Sequence, residues 1–154
     1  MDFAQLDISP VTEDELTLAA DLRAEMAADM GNDWDSQYDG WRKRFIEYFG
    51  AKQSEGKSQL FFARVDGVVV GISSASMVDD YRAYVHGRKT GRINGVYVRP
   101  AYRKNGIARN MMVVALDWLA NKGCVVARLH TSEEGKHLYE SLGFLPFNEM
   151  EYVF

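Results

Sequence analysis

The stretch "GVYVRPAYRKNGIARNMM", residues 95–112, decides how the chain is read. It begins as a strand, turns at Pro100, and crowds Arg103, Lys104, Asn105 and Gly106 in front of an apolar helix. A strand that runs into a turn at a helix start is an anion site. The unpaired N–H groups there and the helix dipole both favour negative charge. Gly106 lets the backbone approach a ligand, Ala108 keeps the next turn small, and Arg103, Lys104 and Arg109 add charge. The turn lacks the Gly-Lys-Ser/Thr of a Walker loop and the pattern GxGxxG of a dinucleotide fingerprint. An ordinary strand-to-helix loop is the competing reading.

Charge around this turn is sorted along the chain. Residues 82–109 hold eight Lys or Arg and no acid, whereas residues 12–39 hold nine acids and one base, Arg23. With a net charge of −4, one basic segment suits a small anionic ligand rather than nucleic acid, which needs a broader positive field. The alternative is that both runs are solvated surface.

At 154 residues and 47% hydrophobic, the chain fits one globular domain over residues 1–154. No window approaches the roughly 18 apolar residues of a membrane span. The N-terminal residues show no basic leader before an apolar run, so no signal peptide is expected. The single Cys124 precedes an apolar run and reads as a buried thiol in a reducing compartment, the cytoplasm.

Outward from the turn, periodicity predicts the remaining elements. Residues 3–8 alternate as a first strand. A helix follows, capped by Ser9 or Thr12 and closed by Gly31, and a second covers residues 36–53 with Trp41, Phe45, Tyr48 and Phe49 on one stripe. Two Phe- and Val-rich runs around Asp66-Gly67 predict a hairpin with a type I′ turn, covered on both faces. A polar connection, residues 79–90, leads to the strand 92–98. The helix 106–121 presents Ile107, Met111, Val114, Ala115 and Trp118, and Gly123 ends it. A strand at 124–130, a helix begun by a capping box at residues 131–134, and two short strands at 144–147 and 149–154 complete the order β, α, α, β, β, β, α, β, α, β, β.

Three motifs in register now carry a resemblance. Arg103-Lys104-Asn105-Gly106-Ile107-Ala108 resembles the Arg/Gln-x-x-Gly-x-Gly/Ala signature of the GNAT acetyltransferase superfamily. Val96-Tyr97-Val98-Arg99-Pro100 is similar to its hydrophobic-x-Val-x-Pro strand, and Leu138-Tyr139-Glu140-Ser141-Leu142-Gly143-Phe144 to its Leu-Tyr-x-x-x-Gly-Phe element. The resemblance implies a mixed α/β sheet of six to seven strands, splayed between the fourth and fifth and flanked by about four helices.

It also implies a ligand and roles. The pyrophosphate of acetyl-CoA would lie on the amides of Arg103, Lys104, Asn105, Gly106, Ile107 and Ala108, with Arg109 beside them and Arg99 near the 3′-phosphate. The pantetheine arm would pair with the backbone of Val96, Tyr97 and Val98, and the acetyl carbonyl would meet a backbone N–H in the splayed gap. Tyr139 matches the family's general acid; packing beside Leu138 and Phe144 is its alternative reading. No metal is implied.

Two positions depart from the family. Its frequent Glu on the central strand is absent from Arg92-Ile93-Asn94-Gly95, which leaves the base open among Asp79, Asp80, His86, His130 and a water chain. A Lys-like amine is only about one part in 10³ neutral at pH 7, so its proton must go somewhere. Ser132 stands where an Asn often contacts the pantetheine; it caps its helix or makes a reduced contact, and the cap is preferred. His137 reads as an exposed helix residue.

The function implied is direct transfer of an acetyl group from acetyl-CoA to a primary amine. Asp29, Asp33, Asp35 and Asp39 cluster with Trp34, Tyr38 and Trp41, which suits a small cationic amine, with Tyr81, Tyr84 and His86 on the opposite wall. A protein or peptide acceptor, or a non-catalytic acyl-CoA-sensing module, is the alternative. No nucleic-acid or membrane partner is expected, and the C-terminal strands could pair with a second copy in a homodimer.

Overall fold

Asp66 and Gly67 both take positive φ, 49° and 85°, which is the type I′ geometry that matches the twist of two antiparallel strands. They join β2 (Ser58–Val65) to β3 (Val68–Met77) at the centre of a five-stranded sheet, in a computed structural model that describes residues 5–154. The order is β1-β2-β3-β4-β5, with β1 (Leu6–Pro10), β4 (Lys89–Val98) and β5 (Cys124–Arg128) completing it. The first four strands are antiparallel neighbours; β5 runs parallel to β4. A parallel pair needs a crossover, and α5 (Ile107–Asn121) supplies it.

Both faces are covered, as the two-sided apolar runs of the hairpin require. On one face α1 (Leu16–Asp29) and α3 (Trp41–Ser54) bury Leu16, Leu22, Phe62, Ile72 and Tyr97. On the other, α5 and α6 (Glu133–Ser141) enclose Phe61, Ile93, Met112 and Leu119 with Tyr139 and Phe144 at the rim. Gly91 permits the close approach of α5, since a Cβ there would stand 2.5 Å from Leu119 Cδ2.

Several expected elements differ. The predicted helix over 36–53 is two: α2 (Trp34–Gln37), capped by the Asp33 side chain, and α3, which restarts after Gly40 at φ 73°. The polar connection after β3 contains α4 (Tyr81–His86), started by the Asp80 side chain. With these the described helices number six rather than about four. The sheet has five strands among the described residues rather than six or seven, because residues 144–154 form no strand. Part of the first expected strand, residues 3 and 4, lies outside the described residues. No helix among the described residues is long and apolar enough to cross a membrane.

Candidate active site

The site is built where β4 and β5 part. Their pairing runs Lys89↔Cys124 to Arg92↔Arg128 and stops there, although β4 continues to Val98. The cause sits on β4 itself. Opposite Ser73 of β3, the register slips between Ile72↔Tyr97 and Ser74↔Asn94, so Gly95 and Val96 together face one residue. Gly95 takes φ 60°, a conformation costly to other residues, and such a bulge bends its strand away from a neighbour. The result is a V-shaped gap with one unpaired side of β4 along it.

At the mouth of that gap, β4 passes through a 3₁₀ turn (Pro100–Tyr102) into α5. The N–H of Arg103 donates to Pro100 O at 3.3 Å. The next six amides, residues 104–109, make no hydrogen bond to any described residue. Two left-handed residues, Lys104 at φ 64° and Gly106 at φ 78°, shape this turn. Asn105 braces it from inside, its Nδ2 donating to Tyr102 O at 3.1 Å and Arg103 O at 2.9 Å. Asn110 Nδ2 closes the first turn on Gly106 O at 2.9 Å. Ile107 is buried and Ala108 packs against the same cluster, which fixes the helix start on the sheet. The free donors point to an anion held by backbone, with the α5 dipole behind it.

The basic side chains behave differently. Arg103 donates from Nε to Val98 O at 2.8 Å and pairs with Asp29 at 2.9 Å. Arg99 is bidentate to Glu25, at 2.9 and 2.8 Å, and donates to Val69 O, which takes it away from the expected phosphate role. Arg109 reaches Ser141 Oγ on α6 at 2.9 Å. Lys104 is exposed and without an ion-pair partner among the described residues. Along β4, Val96 and Val98 pack toward α5, while Tyr97 is buried on the α1 side.

Tyr139 lies on α6 between the β5 side of the gap and the core, edge-on to Phe144 at 5.9 Å between ring centroids. Gly135 makes room for it: a Cβ there would stand 2.8 Å from Tyr139 Cε2. Burial pushes the phenol above its ordinary value, so it keeps its proton at neutral pH. Ser132 is the N-cap of α6, its Oγ accepting from Gly135 N at 3.1 Å, which is the cap preferred from the sequence. Because the third helical position is Gly135 rather than Glu134, the cap is one-way and no capping box forms. Burial also holds the Cys124 thiol above its ordinary value.

The open base candidates separate. The Arg82 guanidinium, and after it the Arg82 backbone N–H, donate to the Asp80 carboxylate and hold it below its usual range, which makes it a weak base. His130 sits 3.2 Å from Glu149, which also meets Arg92 at 3.3 Å. His86 ends α4 and His137 is exposed. On the acceptor side most carboxylates are already engaged: Asp29 with Arg103, Asp35 with Arg42 and the Trp41 indole, and Asp33 as the α2 cap.

The isolated Gly95 inside a strand pattern was a sequence signal for the bulge. Nothing comparable marked the Arg99–Glu25 and Arg103–Asp29 pairs, whose members are 74 residues apart.

The chain is similar to known proteins in sequence and in fold. An aminoglycoside N(6′)-acetyltransferase type 1 of Salmonella typhimurium is 31% identical over 87 residues, 54% of this chain and 60% of that protein. A glucosamine 6-phosphate N-acetyltransferase of Trypanosoma brucei brucei is 32% identical over 87 residues, 56% of this chain and 58% of that one. These matches therefore span less than two thirds of either relative's length. A predicted acetyltransferase from Clostridium acetobutylicum, solved with acetyl-CoA, superposes with a TM-score of 0.84 at 19% identity, covering 97% of this chain and 96% of that one. With residues 24–144 matching the family profile, from within α1 to just past α6, the chain belongs to the acetyltransferase (GNAT) family.

Proposed function

We propose that the protein is an N-acetyltransferase that moves an acetyl group from acetyl-CoA to the primary amine of a small acceptor. The observation that carries this reading is the run of six free amides, residues 104–109, at the open end of a gap between β4 and β5. The pyrophosphate of the donor lies on those amides, and the pantetheine arm runs along the unpaired side of β4 past Val98, Tyr97 and Val96. The resemblance of fold to an acetyltransferase solved with acetyl-CoA supports the same donor.

In the gap, the amine nitrogen attacks the thioester carbonyl carbon. A C–N bond forms and the carbonyl oxygen becomes an oxyanion, which a backbone N–H at the Gly95 bulge stabilises. The C–S bond then breaks, and Tyr139 donates its phenolic proton to the leaving thiolate. The amine's lost proton leaves to solvent and ultimately restores the phenol. No carboxylate stands on β4 to take that proton directly, since Asn94 and Gly95 occupy the bend.

The acceptor is a small amine of the amino-sugar type. Both curated relatives carry names of amino-sugar acetyltransferases, which supports that class. The carboxylates on α1 and α2 contribute less to a cation site than their number implies, because most are paired within the fold.

Thiol release from acetyl-CoA across a panel of amino sugars, polyamines and peptides tests the reading, with Tyr139→Phe alongside. Amine-dependent release that falls in the variant supports it. Release with peptides alone would move the acceptor to protein, and acetyl-CoA binding without release for any amine would make the chain a sensor.

A further inference from the structure

Ile72, Ser74 and Ser76 alternate along β3 and share the face that α1 covers. Ser76 meets Ser58 of β2, its register partner, through their hydroxyls at 2.8 Å, so these two satisfy each other. Ser74 bonds differently. It is 6% exposed, and its hydroxyl donates to the main-chain carbonyl of Asn94 on β4 at 2.9 Å. A buried hydroxyl needs a partner, and this one takes it from the pair Ser74↔Asn94, the last before β4 bulges at Gly95 and Val96.

That bond orients the next peptide group. The link from Asn94 to Gly95 is planar and trans, so its C=O and N–H point in opposite directions. With the Asn94 oxygen drawn toward β3, the Gly95 N–H points away from β3. That is the side β5 vacates once its pairing with β4 ends at Arg92↔Arg128. Gly95 is uncrowded there, since a Cβ built on it would meet nothing beyond its chain neighbours within 4 Å. Glycine also has the widest choice of backbone conformations, so the peptide before it needs an outside hold.

We propose that Ser74 is a positioning residue: through the Asn94 carbonyl it aims the Gly95 N–H at the thioester oxygen of the acyl donor. The inference rests on the acetyl-transfer reading of the gap, and adds which amide serves and what sets its direction. As the amine attacks, negative charge grows on that oxygen, and an amide already aligned needs no reorganisation. Ser74 itself touches no substrate, because β4 lies between it and the gap. Without its hydroxyl the peptide before Gly95 rocks, and the donor loses its alignment while the donor site on residues 104–109 stays as it was.

Steady-state kinetics and amide NMR on the full chain test this together. Ser74→Ala removes only the donor and should lower kcat about 10- to 100-fold, with KM for acetyl-CoA changed less than about twofold. Ser74→Thr keeps the hydroxyl and should restore most of the rate. A hydroxyl that merely knits β3 to β4 would lower stability in urea and leave kcat alone. The second readout needs no turnover. Acetyl-CoA should move the Gly95 amide proton of ¹⁵N-labelled protein downfield, whereas coenzyme A, which lacks the carbonyl, should not. That difference should shrink in Ser74→Ala. An unchanged kcat in Ser74→Ala overturns the inference, and so does a Gly95 amide that responds alike to both ligands. The expected Gly95 shift without transfer to any amine would support the role of Ser74 and overturn the acetyl-transfer reading. A wild type that does not bind acetyl-CoA overturns both.

Discussion

Two charged regions meet beside the end of β4: the basic turn before α5 and the acidic C-terminal half of α1. Each looks like half of a binding site. In the folded chain they largely satisfy each other through side chains, Arg103 with Asp29 and Arg99 with Glu25. What remains unsatisfied is main chain, the amides of residues 104–109. Charge density therefore marks the neighbourhood of the candidate site, while the unpaired backbone of residues 104–109 offers the donors for an anion. Side-chain cations here hold the helix and the turn in place; in the proposed function the turn holds the ligand.

The sharpest way to separate chemistry from binding is Tyr139→Phe. Loss of a positioned general acid is expected to lower kcat by about 10²–10³-fold with coenzyme A affinity unchanged. The phenol must be protonated to act, and burial raises its pKa. Activity in the wild type should therefore persist as pH rises through the ordinary phenol value of about 10 and fall only above it. A pH–rate profile on both proteins checks this, because the alkaline fall attributable to the phenol should vanish in the variant.

Next in size is Gly106→Val. Its φ of 78° costs a branched residue about 1–2 kcal/mol, and the side chain would crowd the ligand. Coenzyme A affinity should drop about tenfold or more by calorimetry. The matching change on the side-chain half is Arg99→Met. It leaves Val69 O and Glu25 without their donor and is expected to cost about 1–3 kcal/mol of stability in urea unfolding. Its effect on coenzyme A affinity should be small.

Asp29→Asn should have the least effect. The pair with Arg103 is 40% and 42% exposed, so its loss should change stability by less than about 1 kcal/mol. If freeing Arg103 instead raised coenzyme A affinity strongly, the side chain rather than the backbone would be the main phosphate ligand.

Much of this was legible in the sequence where the signal is local. Asp66-Gly67 specified its turn through φ alone, Ser132 its cap, and the strand, Pro100, basic turn and apolar helix were read in order from residues 95–112. Gly40 was not read as a break because Trp41, Phe45 and Phe49 keep one helical stripe that the preceding α2 happens to continue. The helix α4 was missed because its six residues are mostly exposed and carry no apolar stripe; the Asp80 cap was its only mark. The tail alternates like strands but makes no ladder, since alternation fixes faces and says nothing of a partner. Which guanidinium pairs with which carboxylate depends on the packing of α1 across β4, so no spacing could reveal that Arg99 and Arg103 were already occupied.

The most direct test of the central claim is an amide titration by NMR, adding coenzyme A to ¹⁵N-labelled protein. Backbone donation to the pyrophosphate predicts saturable downfield shifts concentrated at residues 104–109, the same in wild type and Asp29→Asn. Saturable binding that leaves those six amides unmoved would contradict it.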